Sequence, residues 1–127
     1  MWVLGSGQAS DTVSLHDRKS FTEMMATKVA AKKAYSQAGM VPEKIYIAEV
    51  HDCFSINEII AVEDLGFCEK GSGGKFVEDG KIKRDGERPV NTTGGLKSIG
   101  HPVGATGIRQ VVDLVRQLRG DYGRLQV

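Results

Sequence analysis

The chain lacks the features that mark membrane, secreted and nucleic-acid-binding proteins. No apolar run approaches the roughly 20 residues that a membrane-spanning helix needs, and the N-terminus has no secretory signal pattern. Lysine and arginine total 17 against 16 aspartates and glutamates, and the basic residues are dispersed along the chain. Neither nucleic acid nor a membrane is therefore an expected partner, and we expect a cytoplasmic protein.

Cysteine is almost absent, which limits disulfide and metal chemistry. The two cysteines, Cys53 and Cys68, match no zinc-binding spacing. We therefore expect two reduced thiols in an intracellular protein and no metal site. The 127 residues, 40% of them hydrophobic, are enough for one domain with one core.

Short β-rich runs alternate with helical patterns along the chain. Residues 2–8, 45–50 and 90–92 are predicted as strands. Helices are predicted over residues 21–38, from Ser55 to before Gly66, and from about Val103 to before Gly120. Ser-x-x-Glu capping boxes open the first two helices at Ser20 and Ser55, and Gly39 ends the first. The order β-α-β-α-loop-β-α predicts an α/β fold with helices layered on a sheet.

Two segments depart from this alternation. Residues 67–89 are long, polar and rich in glycine, which predicts a loop or flap, with a small strand at Phe76 and Val77. Residues 91–107 contain five glycines and His101, which Gly100 and Pro102 flank. Glycine at that density is typical of backbone that turns sharply or approaches another group. His101 is thus a candidate general base or oxyanion donor, and the alternative is an exposed loop histidine.

A second candidate motif, His51-Asp52-Cys53-Phe54, lies between a predicted strand and a predicted helix. A thiol just before a helix N-terminus is favoured as a thiolate, so Cys53 is a candidate acid or base. The alternative is that Cys53 is a small buried hydrophobic residue. Glu49, two residues before His51, either orients a histidine or is solvated. Ligands of open α/β sheets bind where strands end and helices begin, and both motifs have that position.

The two motifs together resemble the C-terminal half of thiolases. The similarity is to the sterol-carrier-protein type and to archaeal and bacterial acetyl-CoA acetyltransferases. It rests on His51-Asp52-Cys53-Phe54 and on the Gly-His-Pro-Val-Gly-Ala-Thr-Gly run at residues 100–107. It extends over nearly the whole chain through residues 4–8, 49–55, 57–58, 63–66, 94–95 and 117–120.

The resemblance implies a role for each candidate residue. His101 would activate a nucleophilic cysteine and donate to the thioester oxyanion, and His51 would be the second oxyanion donor. Cys53 would remove and return the α-proton of acetyl-CoA. A substrate-binding wall would be shaped by Asn91, Gly94, Gly95 and Gly100. The substrate would be a coenzyme A thioester, with no covalently bound cofactor, and the pathway would be lipid metabolism.

The resemblance also implies missing parts. The nucleophilic cysteine of thiolases belongs to their N-terminal half, and the family continues beyond residue 127 with two more strands. Residues 1–127 would thus be a thiolase-like half-domain, with helices packed on both faces of a mixed sheet that lacks its last strands. The uncharged stripe of the last helix would be buried between two halves. We expect an N-terminal thiolase half as partner, in the same or a separate chain, and a homo-oligomer in the full protein.

Three functions follow as hypotheses. The first is the C-terminal domain of an acyltransferase that catalyses Claisen condensation and thiolytic cleavage of acetyl-CoA and 3-ketoacyl-CoA, inactive alone. The second is a thiolase-like retro-aldolase acting on coenzyme A thioesters, which needs no nucleophilic cysteine. The third is a non-catalytic scaffold or assembly domain, which would have no use for His51, Cys53 and His101.

Overall fold

The computed structural model describes residues 1–127 and contains five α-helices. They are α1 Met25–Ala38, α2 Ser55–Asp64, α3 Gly73–Glu78, α4 Gly95–Ile99 and α5 Thr106–Arg119. Short 3-10 turns lie at Leu15–Asp17, Pro42–Lys44 and Gly123–Leu125. None of the helices is long and apolar enough to cross a membrane.

The predicted mixed sheet is not confirmed, because none of the three predicted strands forms. An isolated parallel bridge joins Ala48 to Val90. It is made by the Ala48 amide donating to the Pro89 carbonyl and the Asn91 amide donating to the Ala48 carbonyl, both at 3.0 Å. A parallel ladder continues only if successive backbone groups bond across the strands. Here side chains take the next groups, because Asn91 Oδ1 accepts from the Val50 amide at 2.9 Å and Gln110 Nε2 donates to the Val50 carbonyl at 2.7 Å.

The first predicted strand, residues 2–8, lies against α1 without forming a strand. The Ser6 amide donates to Gln37 Oε1 at 2.8 Å, and Lys33 Nζ donates to the Gln8 carbonyl at 2.9 Å. Glycine is required for this approach, since a Cβ on Gly7 would lie 2.0 Å from the Ala30 carbonyl oxygen. The segment therefore bonds to helix side chains instead of to a neighbouring strand.

The three main helices form where predicted. α2 begins at Ser55 as expected, although no side chain caps it, whereas α1 and α5 begin later. α1 begins at Met25 instead of residue 21, and the Ser20 box does not cap it. The buried carboxylate of Asp64 accepts from the Met24 amide at 2.6 Å and satisfies that end instead. α5 begins at Thr106, a few residues after the predicted start. Gly39 and Gly120 end α1 and α5 in the left-handed conformation, as predicted.

Residues 67–89 contain a helix that the sequence pattern did not predict. The expected small strand at Phe76 and Val77 is wrong, because both residues lie in α3 and Phe76 is buried. α3 packs closely on α2, since a Cβ on Gly73 would lie 2.7 Å from the Ile59 carbonyl oxygen. The Gly73 amide also donates to Glu63 Oε1 at 2.8 Å. The short helix α4 inside the glycine-rich segment was likewise not predicted.

The core is small and lies beneath α2. It is a single apolar cluster of Ala48, Val50, Ala61, Val62, Phe67 and Val90. α5 contacts the same region through polar side chains, for example Gln117 Nε2, which donates to Thr92 Oγ1 at 3.0 Å. The predicted apolar stripe of α5 is open to solvent, with Ile108 71% and Leu118 65% exposed. The chain itself therefore does not bury that stripe.

Candidate active site

The structure brings His51 and His101 together from two separate turns. Their ring centroids lie 4.8 Å apart, and the rings meet edge to face at 71°. His51 directly follows the Ala48–Val50 segment, whereas His101 follows α4, and both side chains are exposed. Sequence reasoning placed both residues at strand-to-helix turns, and their proximity in space is a result of the fold.

A buried carboxylate joins the two turns. Asp52 lies beside His51, and both of its carboxylate oxygens are 3.1 Å from the Leu96 amide at the start of α4. The approach depends on Gly95, because a Cβ there would lie 2.0 Å from Asp52 Oδ2. The first amides of a helix lack partners within the helix, so a carboxylate at this end is stabilising. Asp52 therefore sets the distance between the turn that carries His51 and the segment that leads to His101.

His101 is oriented from the first turn of α5. Its Nδ1 lies 2.7 Å from Thr106 Oγ1, and Thr106 is buried. Thr106 Oγ1 also bonds to the Pro102 carbonyl at 3.1 Å. Sequence reasoning missed Thr106, although its place in the Gly-Ala-Thr-Gly run five residues after His101 was visible.

Cys53 is an exposed free thiol just before α2. Its hydrogen-bond partner is Asn57, whose Nδ2 donates to the sulfur at 3.0 Å. The alternative of a small buried hydrophobic residue does not apply to Cys53. The other cysteine, Cys68, is half-buried, and burial raises the pKa of its thiol.

Asn91 holds the wall of the site from within. It is buried and has a left-handed backbone with φ 49°. Its Oδ1 accepts from the Val50 amide, and its Nδ2 donates to Glu58 Oε1 at 2.8 Å. Both ends of the amide are thus used inside the chain, so contact between Asn91 and a substrate stays a prediction.

The remaining wall residues differ in their surroundings. Gly94 and Gly95 have φ angles of 91° and 66° at the start of α4, and Gly95 is packed against Asp52. Gly100 has φ 79° and open space around it. One cleft of the chain is lined by Asp52, Asn91 and Gly94 among others, but not by His51, Cys53 or His101. Those three side chains lie on an open surface.

A polar cluster that the sequence did not reveal lies under α5. Arg109 Nη1 pairs with Asp113 Oδ2 at 2.9 Å, and the Tyr122 hydroxyl donates to Asp113. Burial and the bond to Asp113 raise the pKa of Tyr122 to about 12. The i, i+4 spacing of Arg109 and Asp113 was a visible signal, but it is equally common on solvent-facing helices.

Glu49 belongs to this cluster and neither orients a histidine nor is solvated. Both of its carboxylate oxygens are buried without a hydrogen-bond partner. Burial, with a further contribution from the Asp113 charge, raises the pKa of Glu49 to about 7, although Arg109 and the nearby Thr92 amide oppose the change. Both alternatives considered for Glu49 are therefore wrong.

Comparison with known proteins gives consistent matches. The family model for the thiolase C-terminal domain-like family matches residues 7–127. An acetyl-CoA acetyltransferase of Methanothermobacter thermautotrophicus is 55% identical over 127 residues, which are 100% of this chain and 33% of that protein. Sterol carrier protein 2 of Bos taurus is 43% identical over 128 residues, covering 98% of this chain and 24% of that protein. This chain thus spans a third or less of the length of these curated relatives.

A solved structure also matches closely. The Ltp2-ChsH2(DUF35) aldolase superimposes with a TM-score of 0.82 at 27% identity. The match covers 94% of this chain and 31% of that one.

The contact between Gly95 and Asp52 predicts that alanine substitution lowers stability by different amounts at two glycines of the glycine-rich segment, residues 91–107. Gly95→Ala should lower the free energy of unfolding by on the order of 2 kcal/mol, because the new Cβ meets Asp52 and φ is positive. Gly104→Ala, in open space with an ordinary φ, should change it by less than about 0.5 kcal/mol. Urea unfolding of both variants measures the difference. Equal stabilities would contradict the Asp52 clamp, by which we mean the contact of Asp52 with Gly95 and the Leu96 amide.

The raised pKa of Glu49 predicts a stability that falls as pH rises. The neutral carboxyl favours the folded state fully below the unfolded pKa of 4.5, and this contribution is lost as pH rises through about 7. As pH rises from 4.5 to 8, the stability of Glu49→Gln relative to the parent should therefore increase by about 1 kcal/mol, a value discounted for solvent screening. Glu78→Gln, at an exposed position, should show no such gain. Urea unfolding of both variants and the parent at several pH values in this range tests the prediction. A pH-independent difference in unfolding free energy between Glu49→Gln and the parent would contradict it.

Proposed function

The chain belongs to the thiolase family as a C-terminal domain, and we propose that it supplies proton-transfer and oxyanion-stabilising side chains for thioester chemistry. The proposed reaction is Claisen condensation and thiolytic cleavage of coenzyme A thioesters such as acetyl-CoA. The observation that carries the proposal is the 4.8 Å approach of His51 and His101 on an open surface. The names of the acetyltransferase relatives support the substrate class.

Thioester enolates form readily only when fixed donors stabilise the negative charge that develops on the carbonyl oxygen. Two imidazoles at this separation are close enough to donate to one oxygen. In the proposal His101 first accepts the proton of a nucleophilic thiol, because imidazole transfers protons near neutral pH, and the protonated ring then donates to the oxygen. The Asp52 clamp supports this role, since it holds the two turns at a fixed distance before substrate arrives.

Cys53 is proposed as the acid–base group at the α-carbon. Its exposure and its bond from Asn57 support this role, because an exposed thiolate can take a proton and return it. Asn57 is one turn into α2, so the bond fixes the thiol relative to a helix instead of a loop.

A second domain is proposed to complete the site. Only 18 of the 127 residues are buried, and four apolar residues of α5 are exposed, namely Ile108, Val111, Val112 and Leu118. Exposed apolar surface of this extent is typical of a face that packs on another chain or domain. The proposed partner is an N-terminal thiolase half that carries the nucleophilic cysteine, and homo-oligomerisation of the complete enzyme belongs to the same proposal. Without that half we expect no turnover.

Retro-aldol cleavage is the second candidate, and one observation favours it. The superposition on the Ltp2-ChsH2(DUF35) aldolase covers nearly the whole chain. Retro-aldol cleavage of a thioester also passes through an enolate, so it uses the same oxyanion donors and needs no nucleophilic cysteine.

A chimera tests the proposal. This chain replaces the aligned third of the Methanothermobacter acetyltransferase, and thiolysis of acetoacetyl-CoA is measured. We expect turnover by the chimera and none by the isolated chain. His101→Ala should lower kcat/KM by about 10²–10⁴-fold, as loss of a general base does. His51→Ala should cost about 10²–10³-fold, as loss of one oxyanion donor does.

The matched control is His16→Ala, at an exposed histidine whose side chain is 84% accessible, and it should retain full activity. Thiolysis by the isolated chain that disappears in His101→Ala would overturn the need for a second domain. A chimera whose His101→Ala form keeps its activity would overturn the catalytic role. Carbonyl release from a β-hydroxyacyl-CoA, with no thiolysis, would establish the aldolase instead.

A further inference from the structure

We propose that Thr106 is a positioning residue that holds His101 in the tautomer with its proton on Nδ1, so that Nε2 is the reacting atom. The proposal rests on the catalytic role given above to His101. Its basis is the 2.7 Å contact between His101 Nδ1 and Thr106 Oγ1.

The hydrogen bonds of the Thr106 hydroxyl support Nδ1–H of His101 as the donor in their contact. A threonine hydroxyl carries one proton and two lone pairs. The Thr106 hydroxyl donates to the Pro102 carbonyl at 3.1 Å. With its proton in that bond the hydroxyl can only accept from His101, so the proposed donor in the 2.7 Å contact is Nδ1–H. The lone pair of neutral His101 is therefore on Nε2.

The same arrangement fits the charged form of the histidine. When Nε2 takes the proton of a thiol, the thiol becomes a thiolate and His101 becomes an imidazolium with both nitrogens protonated. Nδ1–H needs an acceptor throughout this transfer. Thr106 stays an acceptor because the Pro102 carbonyl continues to hold the hydroxyl proton. A residue able only to donate would oppose the imidazolium.

The orientation of the Thr106 side chain is fixed by its position in helix α5. Thr106 is the first residue of α5 and is only 2% exposed. Its bond to the carbonyl four residues earlier restricts the side chain further, since β-branching already limits χ1. By contrast, His101 is exposed and follows Gly100, which has no neighbour within 4 Å of its Cβ position. The ring is thus oriented by α5 more than by its own loop.

The protonation state is the direct readout. Solid-state ¹⁵N spectra of the histidine-labelled chimera report which imidazole nitrogen carries the proton, and the His101 signals are those absent from His101→Ala. In the neutral ring we expect a protonated Nδ1 and an unprotonated Nε2. Thr106→Val, which keeps the shape and removes the hydroxyl, should shift His101 toward the Nε2–H tautomer. Thr106→Ser should restore the original tautomer.

Kinetics provide the second readout. Thr106→Val should lower kcat for thiolysis by about 10–100-fold with little change in KM, the scale on which groups that orient a reacting residue act. Thr106→Ser should recover most of that loss. Thr93→Val removes a hydroxyl that accepts from Arg109 and does not touch His101. Thr93→Val should leave the His101 tautomer unchanged. It therefore separates the specific effect of losing the Thr106 hydroxyl from a general loss of packing.

Two results would overturn the proposal. One is an Nε2–H tautomer in the unsubstituted protein, and the other is a Thr106→Val form with the original tautomer and the original kcat. Failure of the catalytic proposal is distinguishable from both. In that case thiolysis does not depend on His101, while the tautomer still depends on the Thr106 hydroxyl.

Discussion

The contact on which the site depends is the bond between the Asp52 carboxylate and the Leu96 amide. It joins the turn after residues 48–50 to the start of α4, which would otherwise be two exposed loops. A buried carboxylate costs free energy unless it is hydrogen-bonded, and the first amides of a helix lack partners within the helix. The bond between Asp52 and Leu96 satisfies both groups. Gly95 provides the space, and the proximity of His51 and His101 follows from that closed contact.

α5 has the opposite orientation from most surface helices. Its buried residues are polar, namely Thr106, Asp113 and Gln117, while most of its isoleucine, valine and leucine side chains are exposed. The inward polar face satisfies backbone groups that have no ladder partner, as Gln110 does for the Val50 carbonyl. The outward apolar face is the surface on which we propose that a second domain packs. α5 therefore has three roles. It bonds to the Ala48–Val50 segment through Gln110, it orients His101 through Thr106, and it carries the apolar face proposed to pack on a second domain.

The main helices could be predicted from the sequence, and both candidate motifs could be recognised in it, because helix stops and short motifs depend on neighbouring residues. Gly39 and Gly120 show this, since their left-handed conformations lie where the pattern ended each helix. The sheet was not confirmed, because pairing depends on distant backbone. Asn91 and Gln110 occupy the groups that a longer ladder would have used. The surroundings of Glu49 were wrongly predicted for the same reason, since they depend on α5 packing over residues distant in sequence. Thr106 was missed although its partner His101 is only five residues away.

The central claim is that His51 and His101 act together on one thioester oxygen. A crystal structure of the chimera with a non-hydrolysable acetyl-CoA analogue tests it most directly. We expect the carbonyl oxygen of the analogue to lie about 3 Å from a ring nitrogen of each histidine. An ordered analogue whose carbonyl oxygen contacts neither histidine would contradict the account.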